Sequence, residues 1–288
     1  LKGHPGHRAV MSGADRITGW TQCTQAIAKG NPNWANIYYA DIAWKPTRLS
    51  QDVTDLALAR RPANGKWVCT GGSTNTLIDT VNLTQPDDYW NGAILFLYDR
   101  SAGVTYERKV IDFDAATHTL TVDAVWYEDR VPEPGVDTYY LTNIVQLIDR
   151  AGQWATEDLG GGSYRVFAWA YGGGDPDNYL MEGSRRSSCI FFGTRGYWTF
   201  DALEFRHTTV GWGYGLGNTN SGGVGHLVIQ NCLFHHNDGY GIQLGYAPGS
   251  VIRRNTVVHN RLGIALTCSS DVLVEENEVG WNLSLIHI

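Results

Sequence analysis

The chain has 288 residues and a net charge of −7, and its isoelectric point is about 5.7. This acidic balance argues against a general nucleic-acid binder, because such proteins usually carry a basic face. The sequence holds no run of about 18 apolar residues, so it predicts no membrane span. With 34 Gly, 11 Trp and 15 Tyr against 2 Met, it is typical of a turn-rich β protein with aromatic surfaces.

Short strands and turns open the chain. Residues 9–13 read AVMSG, which predicts a strand followed by a turn. Further short strands are expected over residues 34–67, a stretch that includes the phrase Ala-Arg-Arg-Pro at 59–62. We expect residues 1–67 to form N-terminal coils of the β-helix that the C-terminal repeat predicts.

The character of the sequence changes over residues 68–150. Residues 92–98 and 107–113 are apolar enough to form paired strands. Residues 117–123 alternate strictly between polar and apolar, as a half-exposed antiparallel strand does. The prediction is a small, inserted antiparallel domain that resembles a β-barrel.

A repeat begins near residue 226 and continues almost to the end of the chain. Residues 229–237, 252–260 and 274–282 align, each segment closes on an asparagine, and successive segments are offset by 23 and 22 residues. A fixed period of this size marks a stacked-repeat architecture. At about 3.3 Å per residue, one period suits a coil of three short strands with their turns.

Like residues in the repeat fall into columns. The columns are Ile229, Ile252 and Val274; Phe234, Val257 and Val279; and Asn237, Asn260 and Asn282. Stacked turn asparagines can hydrogen-bond from one coil to the next and so satisfy buried amides. Cys232 shares a position with Asn255 and Asn277, and we expect it to be a small buried core residue. The predicted fold is all-β, with a parallel β-helix over residues 151–282.

The last six residues, 283–288, break the repeat at the sequence level. They resemble a translated sequencing adaptor, of the kind that ends fragmentary metagenomic reading frames. We therefore expect them to lie outside the fold, and further coils to be missing from the chain.

The repeat resembles the right-handed, pectate-lyase-like parallel β-helix superfold. Residues 12–20 resemble the entry segment of bacterial β-helix carbohydrate enzymes, and residues 141–154 resemble a linker of the same group, with Ala151 in place of Pro and Gln153 in place of Glu. The resemblance implies a right-handed helix and a polysaccharide or oligosaccharide as the partner. It also implies a bacterial protein that is secreted or at the cell surface.

Carboxyl groups near the outer face are the catalytic candidates. A glycoside hydrolase needs two carboxyls that flank the scissile bond. Asp238 lies before a repeated strand and beside aromatic residues, with Glu204 and Glu182 as candidate partners; a turn aspartate and solvated glutamates are the alternative interpretation. His207 is a further catalytic candidate, and it aligns with His236 and His259, which predicts either ring stacking or a metal site.

Aromatic and polar residues of two loops are the candidates for substrate binding. These are Arg206, Trp212, Tyr214, His236, Tyr240 and Gln243. No cofactor and no metal site are expected, although Asp175 and Asp177 could bind Ca²⁺ through carboxylate oxygens.

Three functions remain open from the sequence. The first is a glycoside hydrolase with carboxyl acid/base chemistry. The second is a polysaccharide lyase, which commonly uses a Lys or Arg base; the chain has no lysine after Lys109 but several later arginines. The third is a carbohydrate-binding rod without catalysis, such as an adhesin or a tailspike-like module, which needs only aromatic platforms.

Overall fold

The computed structural model of the chain describes residues 1–4, 6, 8–126, 130–209, 213–218 and 224–287. Strands dominate these residues, with short 3-10 helices at Trp34–Asn36, Val145–Leu147 and Pro176–Asn178. Trp212, one of the substrate-binding candidates, lies outside the described residues. Two compact units are present, the first formed by residues 1–17, 46–55 and 180–288 and the second by residues 18–45 and 56–179.

The strands are numbered in chain order. The first seventeen are β1 (Ala9–Ser12), β2 (Ala14–Arg16), β3 (Thr21–Gln22), β4 (Tyr38–Ile42), β5 (Leu49–Gln51), β6 (Thr54–Asp55), β7 (Ala57–Leu58), β8 (Arg60–Arg61), β9 (Trp67–Val68), β10 (Gly71–Ser73), β11 (Thr76–Ile78), β12 (Ile94–Asp99), β13 (Val104–Asp114), β14 (Thr119–Val122), β15 (Thr138–Thr142), β16 (Gln153–Gly160) and β17 (Ser163–Trp169). The remaining strands are β18 (Met181–Ser184), β19 (Ser188–Phe191), β20 (Thr199–Asp201), β21 (Leu203–Arg206), β22 (Tyr214–Gly217), β23 (Val228–Gln230), β24 (Leu233–His235), β25 (Tyr240–Gly245), β26 (Val251–Arg253), β27 (Thr256–Val258), β28 (Leu262–Thr267), β29 (Leu273–Glu275), β30 (Glu278–Gly280) and β31 (Ser284–His287).

The first unit is a parallel β-helix. Each coil gives one strand to each of three parallel sheets, ordered β20-β23-β26-β29, β1-β21-β24-β27-β30 and β19-β22-β25-β28-β31. We call these the first, second and third sheets. Phe200, Ile229, Ile252 and Val274 lie in register in the first sheet, and Phe205, Phe234, Val257 and Val279 in the second. The predicted inward columns are thereby confirmed, because these side chains form or pack against the buried core.

Single residues in the left-handed region turn the chain at the corners of each coil. After the second sheet these are His207, His236, His259 and Trp281, with φ between 53 and 59°. Each precedes the residue that turns inward, and in three successive coils that residue is asparagine. One left-handed residue redirects the backbone sharply without an extended loop, which keeps the coils in register.

Two asparagine ladders join the coils. Asn237 Nδ2 donates to Asn260 Oδ1 (2.8 Å), and Asn260 Nδ2 donates to Asn282 Oδ1 (3.1 Å). At the other corner, Asn255 Nδ2 donates to Asn277 Oδ1 (3.0 Å), while Asn255 Oδ1 accepts from the backbone N–H of Cys232 (3.0 Å). The predicted ladder is therefore confirmed. Cys232 is a buried free thiol, as expected, and burial raises its pKa to about 11.

The second unit is built from two sheets that are antiparallel except where β7 pairs in parallel with β16. One has the order β10-β11-β14-β13-β12-β15-β8, with β9 also paired to β15, and the other has the order β3-β4-β17-β16-β7. Its core contains Trp90, Phe113, Trp126 and Tyr139, each no more than 1 % exposed. The presence of an extra, mainly antiparallel domain agrees with the prediction.

The limits of the two units differ from those expected. Residues 18–45, 56–67 and 151–179, predicted as β-helix coils, belong to the second unit, where β16 and β17 form a hairpin and β17 pairs with β4. Residues 46–55 return to the first unit, where β5 pairs with β18 in antiparallel fashion.

The repeat does not stop at residue 282. β31 pairs in parallel with β28, with Leu262 opposite Ser284 and Ile264 opposite Ile286. The expectation that residues 283–288 lie outside the fold therefore does not hold for the backbone of β31. The physical reason is that the open edge of a stack offers unpaired backbone groups that an extended segment can pair.

Candidate functional site

The candidate site lies on the outer face of the second sheet and at the corner that follows it. In β21, Leu203 and Phe205 point into the core, so the alternating Glu204 and Arg206 point outward. Arg206 lies in register with His235 of the next coil. The strand periodicity thus brings charged side chains from successive coils onto one face.

Arg206 joins two glutamates on this face. Its Nη2 lies 2.9 Å from Glu182 Oε2 and its Nη1 lies 3.1 Å from Glu204 Oε1. Burial alone raises the pKa of Glu182, but the hydrogen bond with His207 and the charge of Arg206 outweigh it and lower that pKa. The hydrogen bond from His235 is the main cause that lowers the pKa of Glu204. Both glutamates are therefore ionised near neutral pH and poorly suited to donate a proton.

His207 lies beneath this face and is 1 % exposed. Its Nδ1 is 3.5 Å from Glu182 Oε2 and 3.4 Å from Ser50 Oγ, and its Nε2 has no hydrogen-bond partner among the described residues. A ring with this burial cannot touch a substrate in this conformation. We therefore assign His207 to the support of Glu182 and leave it out of the proposed chemistry.

A hydrogen-bonded chain runs from Glu204 through two histidines. His235 Nε2 is 3.1 Å from Glu204 Oε1, and His235 Nδ1 is 2.7 Å from His236 Nδ1. When both rings are neutral, Glu204 selects the tautomer of His235 that carries its proton on Nε2. His236 must then donate from Nδ1, which leaves its Nε2 as an acceptor.

His236 is held neutral by its surroundings, and this predicts a dependence of stability on pH. Burial lowers the pKa of His236 to about 3, and the charges of His235, Arg48, His207 and His259 act in the same direction. A depressed pKa contributes stability above the unfolded value of about 6.5, and this stability is lost as pH falls from there towards 3. The free energy of unfolding should change by about 1.4 kcal/mol per pH unit, because one proton is taken up on unfolding.

The measurement is denaturant unfolding of the β-helix unit at several pH values between 7 and 4. Replacing His236 by Gln should remove about one proton from the pH slope. Equal slopes in the wild type and the His236→Gln variant would contradict the assignment.

An open concavity of about 400 Å³ lies beside this network, entirely within the first unit. Its lining residues are Arg48, Asp55, His236, Asp238, His259, Asn260, Arg261, Trp281 and Leu283.

Two aspartates in the concavity contact the same guanidinium. Arg48 donates from Nη2 (2.5 Å) and Nε (3.2 Å) to Asp238 Oδ1 and from Nη1 (2.7 Å) to Asp55 Oδ2. Thr47 Oγ1 also donates to Asp238 Oδ2 (3.1 Å), so three donors converge on Asp238. Burial raises the pKa of Asp55, because desolvation of its carboxylate outweighs the attraction of Arg48.

Aromatic rings of successive coils form a stack that borders the concavity. The His236 and His259 rings lie 5.2 Å apart at 18°, and the His259 and Trp281 rings lie 6.3 Å apart at 13°. The Trp281 side chain is 79 % exposed, so one face of the stack is open. Ring stacking, one of the two expectations for the histidine column, is therefore observed for His236 and His259, whereas the His207 ring meets His236 edge-on at 6.0 Å and 72°. Within the described ranges, no group of three or more His, Cys, Asp or Glu is arranged to hold a metal ion.

The remaining candidates lie elsewhere. Tyr214 and Tyr240 are in register on the third sheet, where Tyr214 is buried and Tyr240 half-buried. Gln243, expected to point outward with Ala265, is half-buried, and Ala265 is buried.

Asp175 and Asp177, the Ca²⁺ candidates, are engaged by backbone donors in the second unit. Asp175 caps a 3-10 helix by accepting from the N–H of Asp177 (2.9 Å). Asp177 accepts from the N–H groups of Gly19 and Trp20 at 2.9 to 3.1 Å. These contacts give both carboxylates a role that needs no ion.

Sequence reasoning missed Arg48 and Asp55. Both come from the segment 46–55, which is separated from Asp238 by more than 180 residues, and no local motif marks them. The available signal was weak, since an Arg and an Asp seven residues apart are unremarkable in a polar stretch.

Comparisons with known proteins agree with this architecture. The family model described as a right handed beta helix region matches residues 186–285, which gives the handedness of the coils. A solved structure described as "Glycoside hydrolase" is similar with a TM-score of 0.66 and 14 % identity, over 91 % of this chain and 54 % of that one. "The complex structure of XylC with xylose" is similar with a TM-score of 0.44 and 13 % identity, over 96 % of this chain and 48 % of that one.

The family match and the likeness to the first of these structures support the class of fold, a right-handed parallel β-helix. At such low identity they define the fold alone, and the chain spans about half the length of the solved structures that it matches. The search of curated proteins gave no match. Among the described residues, no helix is long and apolar enough to cross a membrane.

Proposed function

We propose that this chain is part of a glycoside hydrolase that acts on a polysaccharide or oligosaccharide. The observation that carries the proposal is the shared concavity of Asp55 and Asp238, one carboxyl with a raised pKa and the other bound by three donors. Glycosidases need such a pair, with one group protonated and the other ionised. A solved structure of similar fold is described as "Glycoside hydrolase", which is the same class.

The two aspartates take different roles in this proposal. Asp55 donates its proton to the leaving glycosidic oxygen, because its raised pKa favours the acid form. Asp238 acts as the carboxylate on the other side of the bond. It is the nucleophile if the two carboxyls work about 5–5.5 Å apart, and the base that activates water if they work about 6.5–9.5 Å apart.

The exposed ring of Trp281 is proposed as a platform for a sugar ring. Its open face continues the stack of His236 and His259 at the border of the concavity. Polysaccharides are met mainly outside cells, so the proposal includes a secreted or cell-surface location.

A lyase is the second candidate, favoured by the cations of the same concavity. Arg48 and Arg261 both line it and could neutralise a uronate carboxylate. The base of this candidate remains one of the arginines, as in the sequence hypothesis, because a pKa of about 3 makes His236 too weak a base to remove the proton at C5.

Product analysis on a panel of neutral and acidic polysaccharides separates these functions. New reducing ends without the ultraviolet absorbance of an unsaturated uronate support the hydrolase, and products with that absorbance support the lyase. Binding without turnover would contradict both and leave a recognition rod.

Replacing Trp281 by Ala is expected to weaken oligosaccharide affinity about tenfold, because a sugar face no longer covers the indole ring. Affinity would be measured by calorimetry. The matched control is Tyr197→Ala, since Tyr197 is 82 % exposed and stacks on His226 outside the concavity. Equal losses in the two variants would contradict a specific platform at Trp281.

A further inference from the structure

A second cleft lies within the antiparallel unit and takes no part in the proposed hydrolysis. Its volume is about 390 Å³, and its walls come from strands β12 and β13 of one sheet and β16 and β17 of the other. Every lining residue belongs to the second unit. A concave site of this size between two sheets is large enough for a small ligand.

Lysines are concentrated at this cleft. The chain has only five lysines, and three of them, Lys29, Lys45 and Lys109, line the cleft. They come from three separate parts of the sequence, so no local run of basic residues explains the cluster. In a chain with a net charge of −7, this concentration marks a place where a negative ligand is favoured.

Two of the three lysines are available to pair with a negatively charged ligand. Lys29 is paired with Glu157 at 2.6 Å. Lys45 and Lys109 are exposed, and among the residues that the structure describes neither makes an ion pair. Asp158 is the other carboxylate of the lining, and it accepts a hydrogen bond from the N–H of Gly160.

The lining also offers an unsatisfied acceptor and apolar walls. Asn91 Oδ1 is buried and has no hydrogen-bond partner in the described part of the chain, whereas its Nδ2 donates to Asp88 Oδ1 (2.7 Å). Such an oxygen is costly to leave unpaired and suits a hydroxyl donor from a ligand. Tyr164 and Phe167 supply aromatic carbon surface to the same cleft.

We propose that this cleft binds an anionic saccharide, whose acidic group contacts Lys45 and Lys109 and whose hydroxyl donates to Asn91 Oδ1. A sugar matches the mixture of cations, hydroxyl acceptors and aromatic surface better than a free inorganic anion, which would leave the acceptor and the apolar walls unused. The acidic group can be a carboxylate or a sulfate ester. The cleft would hold an acidic branch or neighbouring unit of a polymer independently of bond cleavage.

Calorimetric titration of the full chain tests the proposal. The probes are an oligogalacturonate, a sulfated galacto-oligosaccharide of equal length and the corresponding neutral galacto-oligosaccharide. The Asp238→Asn variant is used as the background so that the probes are not consumed. We expect the anionic probes to bind with an affinity that falls with added salt. The tighter of the two identifies the acidic group.

The Lys45→Gln/Lys109→Gln double variant should weaken anionic binding about tenfold or more, because two charge-assisted contacts are lost. The Lys45→Arg/Lys109→Arg variant keeps the charges and should retain most of the affinity. Lys66→Gln is the matched control, since Lys66 belongs to the same unit but lies over the Tyr98 ring outside this cleft, and it should change affinity less than twofold.

Absence of binding by both anionic probes would overturn the proposal, as would equal affinity of the Gln double variant and the wild type. Neither result would bear on the aspartate pair, whose test is the release of products. The supporting outcome is a Gln double variant that unfolds like the wild type and loses only the binding of the anionic probes.

Discussion

Replacing Asp238 by Asn is expected to lower kcat for glycoside hydrolysis about a thousandfold. The amide oxygen can still accept from Arg48, whereas the amide nitrogen that replaces Oδ2 cannot accept from Thr47, so one hydrogen bond is lost together with the carboxylate charge. The variant removes the nucleophile or base but keeps the neighbouring residues. A loss of activity therefore reports on the chemistry and not on folding. The measurement is steady-state hydrolysis of the polysaccharide that the panel identifies.

Glu275→Gln is the matched control for this prediction. Glu275 lies in β29 of the first sheet, away from the lining of the concavity, and the change removes one carboxylate of similar exposure. We expect its kcat to stay within about twofold of the wild type. Similar activity of Asp238→Asn and Glu275→Gln would exclude Asp238 from the chemistry.

Replacing Asn260 by Ala is expected to destabilise the β-helix unit by about 3 kcal/mol. Asn260 Nδ2 donates to the carbonyl of Phe234 (3.0 Å), and its Oδ1 accepts from the backbone N–H of Asn237 (3.2 Å). Alanine leaves both buried backbone groups unpaired and interrupts the ladder between Asn237 and Asn282. Urea unfolding followed by circular dichroism measures the loss, and hydrogen exchange of the Asn237 amide locates it.

The control for the ladder is Glu278→Ala, on the exposed outer side of the second sheet. This change should lower the free energy of unfolding by less than about 0.5 kcal/mol. Unchanged protection of the Asn237 amide in Asn260→Ala would mean that the ladder contributes little to stability.

The repeat could be predicted from the sequence because stacking imposes like residues at a fixed period. Phe234 and Val257 lie one coil apart and share one environment, so their spacing in the sequence indicates a stacked-repeat fold. The antiparallel unit was harder to delimit, because the pairing of β17 with β4 joins segments more than 120 residues apart. Such pairing leaves no periodic signal in the sequence.

Residues of the proposed site could be predicted from the sequence only where they belong to the repeat. Asp238 and His236 belong to a repeated coil, and both line the concavity. Glu204 was correctly expected on the outer side, but the sequence could not indicate that Arg206 and His235 would hold it ionised. Arg48 and Asp55 belong to a distant segment, which the pairing of β5 with β18 brings to the site. This pairing is visible only in the structure.

The most direct test of the central claim compares Asp55→Asn with the wild type on two substrates that share one sugar. One substrate is the natural oligosaccharide, whose leaving group needs a proton, and the other is the dinitrophenyl glycoside, whose leaving group does not. If Asp55 is the acid, kcat/KM should fall about a thousandfold on the oligosaccharide and remain near the wild-type value on the activated glycoside. An equal loss on both substrates, or no loss on either, would contradict the account.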